Sequence, residues 1–139
     1  MDDELDITEL FQDALCGNID GILVATFNDP VIALEHFAEN KHTYALVISD
    51  LRMPGLNGLD LLKKVKGSNP NVRTTLMSAY DFQEDELFHR YMKEGIIDSS
   101  IQKPVTVNAL CQRVRDEFEA KIALKINFIT FLILTCVKS

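Results

Sequence analysis

The chain has 139 residues, 47% of them hydrophobic and 25% charged, which is the size and composition of one globular domain with a substantial core. Its 14 basic and 21 acidic residues give a formal net charge of −7, which argues against electrostatic binding to nucleic acid. The cysteines, Cys16, Cys111 and Cys136, are far apart and form no CxxC pair. This spacing argues against a disulfide framework or a zinc site and favours a reducing compartment. The N-terminus has neither a basic region nor an apolar stretch, so we expect no secretory signal and a cytoplasmic protein.

Apolar runs rich in β-forming residues alternate with amphipathic stretches along the chain. The predicted strands lie over 21–27, 44–50, 72–79 and 96–102. The predicted helices lie over 3–16, 30–40, 59–67, 84–95 and 107–122. Gly17-Asn18 ends the first helix, Asp29 caps the second, and Gly55 and Gly58 break the chain before the third. This alternation predicts an α/β fold with a parallel sheet and helices on both of its faces. Ligands of such sheets bind at the carboxyl ends of the strands.

Polar residues occur at the ends of several of these predicted strands. Asp50, Ser78 and Lys103 end three strands, and Asp2 with Asp3 precedes the first helix, where the loop after a strand would be expected. Each residue alone has an ordinary structural explanation. Acidic residues before a helix interact with its dipole, an aspartate after a strand forms turns, and a single lysine is usually solvated. Their joint arrangement instead indicates a functional site at one edge of the sheet.

The chain resembles the receiver domain of two-component response regulators. The matching segments follow the family's order and spacing, and they are "DDE" (2–4), "ISDLRMPGLNGLDLL" (48–62), "LMSAYD" (76–81) and "QKP" (102–104). The resemblance covers residues 2 to about 120. It implies a flavodoxin-like, doubly wound parallel sheet with strand order 2-1-3-4-5. We therefore interpret residues 1–139 as a single receiver domain with its core over 2–122.

The resemblance implies that Asp50 is the phosphoacceptor. It would take a phosphoryl group from a phosphohistidine and become an acyl phosphate, a reaction that depends on positioning and on neutralising the phosphoryl oxygens. Asp2 and Asp3, together with Asp50 and the backbone carbonyl of Arg52, would bind Mg²⁺, which prefers carboxylate and carbonyl oxygens.

The resemblance gives roles to residues of the last two strands as well. Lys103 would pair with one phosphoryl oxygen, and Ser78 would donate a hydrogen bond to another. Pro104 would follow a cis peptide bond that orients the lysine. The family usually carries an aromatic residue three positions before this lysine, and here the position holds Ser100. A serine has no ring that could move into the core, so the way in which phosphorylation is read out stays open.

These features favour a phosphorylation-controlled signalling module. Its partners would be a sensor histidine kinase or phosphotransfer protein and a downstream protein, with no nucleic acid and no membrane. The alternatives are a phosphorelay or phosphate-sink receiver and a pseudo-receiver that binds partners without phosphorylation. An enzyme with external substrates is not expected, because no general base is evident outside the site; the chain would at most catalyse its own phosphorylation and dephosphorylation. The sequence identifies neither the kinase nor the pathway.

The apolar segment "FITFLILTCV", residues 128–137, has a separate explanation. A receiver normally begins with a buried strand that leads into the acidic pair, whereas this sequence starts at Met1, immediately before Asp2. The loss of such a strand would cost of order 10 kcal/mol in buried side chains and hydrogen bonds. We predict that the C-terminal apolar segment, 126–137, fills this position.

The predicted strand runs over about residues 127–136 and lies parallel between the strands at 21–27 and 44–50. The arrangement would resemble a circular permutation, or the segment would enter a second molecule and form a swapped homodimer. Three alternatives remain for the segment, one of which is an artefact of expression or of a gene boundary. A transmembrane anchor needs about 20 apolar residues, more than this segment has, and an extension of the last helix would have to pack on a partner.

Overall fold

The computed structural model describes residues 13, 16–17, 22–51, 56–79, 85–122 and 130–135. Its strands are β1 (Ile22–Phe27), β2 (Leu46–Asp50), β3 (Arg73–Ser78), β4 (Ser99–Gln102) and β5 (Thr130–Thr135). Its helices with described bounds are α1 (Pro30–Glu39), α2 (Gly58–Ser68), α3 (Glu86–Lys93) and α4 (Val107–Ile122). The alternation of strands and helices predicted from the sequence is thereby confirmed for these elements.

The first predicted helix lies largely outside the described residues. Asp13, Cys16 and Gly17 are helical, which agrees with a helix here, and its predicted end at Gly17-Asn18 reaches the limit of the described residues. No helix in the described ranges has both the length and the apolar character needed to cross a membrane.

The five strands form one sheet with the order β1-β5-β2-β3-β4, and every pair is parallel. On one side of β5 the pairing runs from Ile22↔Thr130 to Phe27↔Thr135. On its other side the pairing runs from Leu46↔Leu132 to Ser49↔Thr135. The strand Thr130–Thr135 thus lies between β1 and β2, in the position that the sequence analysis assigns to the C-terminal segment.

Buried apolar side chains cover both faces of the sheet, because successive residues of a strand point to opposite sides. The cluster on the α4 side consists of Leu46, Ile48, Met77, Ile101, Leu110, Cys111 and Val114. The cluster on the side of α1, α2 and α3 includes Phe37, Val47, Leu61, Leu62, Val65, Leu76, Phe88, Tyr91 and Ile97. The chain therefore has the layered α/β architecture that the sequence pattern predicts, with helices on both faces.

Three helices begin at a side chain that caps the first turn. The carboxylate of Asp29, the amide oxygen of Asn57 and the carboxylate of Asp85 each accept a hydrogen bond of 2.9 Å from a backbone N–H of the helix that follows. Such a cap contributes about 1 kcal/mol to stability. The caps fix where α1, α2 and α3 begin. The chain that enters each of these helices is therefore held at the start of the helix.

A network of charged side chains lies at the amino ends of the strands, which we call the amino edge of the sheet. Asp98 Oδ2 lies 2.8 Å from Lys66 Nζ and accepts a hydrogen bond of 2.9 Å from the Thr74 backbone N–H. Arg73 Nη1 lies 3.6 Å from Asp98 Oδ1, and Arg73 Nε donates a hydrogen bond of 2.8 Å to Glu117 Oε1. The network connects α2, β3, the segment before β4, and α4.

We expect Asp98→Ala to lower the free energy of unfolding by about 2–4 kcal/mol. The substitution removes the carboxylate that accepts from the Thr74 N–H and pairs with two cations, which leaves these groups part-buried without that partner. Urea denaturation measures the loss. The control is Asp116→Ala, an exposed residue of α4 that accepts a hydrogen bond from Gln112, for which we expect a change of about 0.5 kcal/mol or less. Equal losses in the two variants would contradict the structural role of Asp98.

Candidate functional site

The predicted phosphoacceptor, Asp50, is the last residue of β2 and is only 3% exposed. In the sheet, β2 lies between β5 and β3. The backbone N–H of Leu51, the next residue, donates a hydrogen bond of 2.9 Å to the Met77 carbonyl, so the chain leaving β2 is still held to β3. The structure therefore places a buried carboxylate at the carboxyl edge of the sheet, where ligands of such folds bind.

Lys103 reaches this carboxylate from the end of β4. Its Nζ lies 2.7 Å from Asp50 Oδ1, and its side chain is 28% exposed while that of Asp50 is 5% exposed. The backbone N–H of Lys103 donates a hydrogen bond of 2.8 Å to the Ser78 carbonyl. The Lys103-Pro104 peptide bond is cis, as predicted. The ammonium thus approaches from the solvent side and neutralises a carboxylate that could not remain buried alone at low cost.

Ser78 ends β3, the strand between those that carry Asp50 and Lys103. It is buried, and it pairs in register with Gln102, the residue before the lysine. The structure brings Asp50 and Lys103 into contact and places Ser78 on the intervening strand at the same edge. The structure therefore shows a contact between Asp50 and Lys103, with Ser78 at the carboxyl end of the strand between them.

Ser100 lies within β4 at the position where the family usually has an aromatic residue. It is half-buried and pairs in register with Leu76 of β3. Its neighbour Ser99 is buried, and the Ser99 hydroxyl shares a hydrogen bond of 2.9 Å with the Thr75 hydroxyl. This part of β4 thus presents small hydroxyl side chains beside the site and no ring.

Sequence reasoning missed the contribution of Gly58 to this edge. It was predicted to break the chain before the helix, whereas it is the first residue of α2. Its N–H donates a hydrogen bond of 2.7 Å to the Leu51 carbonyl, so the helix starts directly against the chain that leaves Asp50. The short interval from Asp50 to Gly58 was the available signal, but a sequence does not show which backbone atoms a glycine approaches.

The remaining predicted metal ligands, Asp2, Asp3 and Arg52, lie outside the described residues. Among the residues described, no group of three or more His, Cys, Asp or Glu side chains could hold a metal ion. Asp50 is the member of the predicted set whose position is known, and its carboxylate offers the hard oxygen ligands that Mg²⁺ prefers. The chemistry of this donor and its place at the strand ends fit the ion.

Comparison with protein families identifies one match over most of the chain. The model of the response regulator receiver domain matches residues 1–115. These residues include the strand ends that carry Asp50, Ser78 and Lys103.

Individual relatives agree with this match. The chain is 35% identical over 80 residues to the DNA-binding transcriptional regulator NtrC of Escherichia coli (strain K12), covering 58% of this chain and 16% of the relative. It is 31% identical over 110 residues to the transcriptional regulatory protein ZraR of Klebsiella oxytoca, covering 79% of this chain and 23% of the relative. The chain thus spans less than a quarter of the length of either protein.

A solved structure has the same fold. The response regulator receiver domain protein of Clostridium thermocellum superimposes with a TM-score of 0.74 at 28% sequence identity. The superposition covers 87% of this chain and 92% of that one. The relatives match this chain over only part of their length, whereas the solved receiver domain matches over almost its whole length.

A double-mutant cycle tests the contact between Asp50 and Lys103. We expect Asp50→Asn and Lys103→Met to show a favourable coupling energy of about 1–3 kcal/mol in urea denaturation, because the carboxylate is buried and the lysine is partly solvated. The matched control replaces the exposed Lys64 of α2 by methionine in the same two backgrounds. Here we expect a coupling of about 0.5 kcal/mol or less. A coupling for Lys103 as small as that for Lys64 would exclude an energetically important ion pair.

Proposed function

Since the chain belongs to the family of response regulator receiver domains of two-component systems, we propose that Asp50 accepts a phosphoryl group from a histidine kinase or phosphotransfer protein. The observation that carries this proposal is the distance of 2.7 Å between Lys103 Nζ and Asp50 Oδ1. The Asp50 carboxylate is buried at the end of a central strand and has the Lys103 ammonium as its counterion. Such a carboxylate is suited to accept a transferred group.

In the proposed reaction, a carboxylate oxygen of Asp50 attacks the phosphorus of a phosphohistidine. An O–P bond forms, the P–N bond breaks, and the leaving imidazole takes up a proton. The transferred group brings additional negative charge next to a carboxylate that is only 3% exposed. Catalysis of such transfers consists largely of positioning and charge neutralisation, so a cation at this place is essential.

Lys103 supplies one of these cations. Its ammonium already touches the acceptor oxygen and needs only a small movement to pair with a phosphoryl oxygen. Ser78, on the strand between, would donate its hydroxyl hydrogen to another phosphoryl oxygen. When bound, Mg²⁺ would supply further neutralisation of the phosphoryl oxygens, and Asp2, Asp3, Asp50 and the carbonyl of Arg52 would hold it.

The proposed activity is limited to the chain's own acyl phosphate. At most, the chain would promote its own phosphorylation and dephosphorylation and would act on no external substrate. The partners that this proposal requires are a sensor histidine kinase or phosphotransfer protein and a downstream protein.

Incubation with acetyl phosphate and Mg²⁺ tests the phosphoacceptor directly. We expect a mass gain of one phosphoryl group in the wild-type protein, no gain with a chelator in place of Mg²⁺, and no gain in Asp50→Asn. Intact-protein mass spectrometry under mild conditions measures the gain. The matched control is Asp60→Asn, an exposed aspartate of α2, which should be phosphorylated like the wild type. Absence of a gain in the wild type, or a gain that survives Asp50→Asn, would reject Asp50 as the acceptor.

Ser100 favours a second candidate function, that of a phosphorelay or phosphate-sink receiver. With no ring at this position, β4 lacks the side chain that is expected to relay phosphorylation to the surface. The receiver would then chiefly move phosphoryl groups. Return of the phosphoryl group from Asp50 to a histidine of the donor protein would favour this function over a conformational switch.

We also propose that the C-terminal segment takes, within its own chain, the place of the first strand of the family, in an arrangement like that of a circular permutant. The parallel pairing of Thr130–Thr135 with β1 on one side and β2 on the other supports this assignment. Insertion into a second molecule would satisfy the same pairing and give a dimer.

Truncation after Lys121 tests the role of this segment. We expect the truncated chain to lose cooperative unfolding, because β1 and β2 would each lose a neighbour in the middle of the sheet. A peptide of residues 123–139 should partly restore folding, and a peptide of the same composition in scrambled order should not. Light scattering of the full-length chain distinguishes insertion in the same molecule from exchange between two. A truncated protein that melts like the full-length chain and still accepts phosphate at Asp50 would show that the sheet does not depend on this segment.

A further inference from the structure

Gly58, the first residue of α2, lies directly against the main chain of Asp50. A Cβ atom built on Gly58 would lie 2.1 Å from the Asp50 carbonyl oxygen and 2.9 Å from the Asp50 carbonyl carbon. It would also lie 2.9 Å from Leu76 Cδ1. Real Cβ atoms essentially never approach another atom so closely, and the nearest of these atoms belongs to the backbone of a buried strand. Only a hydrogen atom fits at this position.

The requirement for glycine at position 58 concerns space and not backbone conformation. Among the described glycines, the one with a positive φ is Gly95, at 80°. An alanine at position 58 could therefore adopt the backbone angles of the helix, and its methyl group is what the structure does not accommodate. To make room for that methyl group, either α2 or Asp50 would have to move.

The chain around Asp50 is held from two directions. On one side, the Leu51 N–H donates to the Met77 carbonyl at 2.9 Å. On the other, the Leu51 carbonyl accepts from the Gly58 N–H at 2.7 Å. The first turn of α2 is itself fixed by Asn57, whose side chain accepts from the Asp60 N–H at 2.9 Å. Hydrogen bonds thus hold the end of β2 to β3 on one side and to α2 on the other.

We propose that Gly58 is a positioning residue for the phosphoacceptor. The first turn of α2 contacts the main chain of Asp50 and thereby fixes the position of the Asp50 carboxylate relative to Lys103. This role rests on the proposed phosphoacceptor function of Asp50. It assigns to α2 a part in the transfer although no side chain of α2 is expected to touch the phosphoryl group.

The test compares Gly58→Ala with Gly67→Ala, the same substitution in the same helix. Gly67 has no atom within 4 Å of an added Cβ, so its alanine variant should be as stable as the wild type or slightly more stable. The measured quantity is the initial rate of phosphorylation by acetyl phosphate with Mg²⁺, divided by the fraction of folded protein. We expect Gly58→Ala to be slower by about 10- to 100-fold, because a small misplacement of a reacting group costs rate steeply. Gly67→Ala should react at the wild-type rate.

The normalised rate separates a positioning role from a purely structural one. A structural role would lower the stability of Gly58→Ala and leave the rate per folded molecule unchanged, which would overturn the inference. A wild type and a Gly67→Ala variant that accept no phosphoryl group would instead reject the proposed function of Asp50. The two failures are therefore distinguishable.

A second pair of variants keeps the inference testable if Gly58→Ala does not fold. Asn57→Ala removes the cap of α2 and adds no atoms, and Asp85→Ala removes the equivalent cap of α3, which lies at another strand end. Both should lose stability to a similar extent, because each loses one capping hydrogen bond. We expect slower phosphorylation per folded molecule in Asn57→Ala and the wild-type rate in Asp85→Ala. Equal rates in the two cap variants would overturn the inference.

Discussion

The fold and the site both depend on the pairing of β2 along its two edges. All five residues of Leu46–Asp50 are buried, so their backbone N–H and C=O groups have no access to water and need partners within the sheet. β3 supplies them on one side and β5 on the other. Because β5 also pairs with β1, it joins β1 to the other strands of the described sheet. The C-terminal residues Thr130–Thr135 thus lie between two other strands of the described sheet.

Burial of β2 also determines the chemistry at its end. A carboxylate is costly to bury, and in this position the cost is reduced by the ammonium of Lys103, 2.7 Å away. The lysine can reach the carboxylate because the strands are parallel and end at the same edge. The same geometry places Ser78 between the two. A site for a charged group thus follows from a parallel sheet whose polar residues occur at the carboxyl ends of its strands.

The secondary-structure elements could be predicted from the sequence because local residue patterns determine them. Alternation of apolar strands and amphipathic helices was sufficient for an α/β fold with a parallel sheet, and the family resemblance supplied the roles of Asp50, Ser78 and Lys103. The charged contacts between distant segments at the amino ends of the strands were not predicted. The pairing of Asp98 with Arg73 and of Arg73 with Glu117 joins residues far apart in the chain, and exposed and buried charges look alike in a sequence. The role of Gly58 was missed for the same reason, because it depends on a backbone atom that no pattern reveals.

The two edges of the sheet differ in how they can respond to added charge. At the amino edge, Asp98 is bound by Lys66, Arg73 and the Thr74 N–H, and the network joins several elements. At the carboxyl edge, a buried carboxylate is balanced by one partly solvated lysine. A phosphoryl group carries roughly two negative charges, and the acylated carboxylate loses its own, so phosphorylation of Asp50 would add about one negative charge at the carboxyl edge and none at the amino edge. Since the main chain of Asp50 lies against Gly58, the first turn of α2 is one of the described parts of the chain that a displacement of Asp50 would reach.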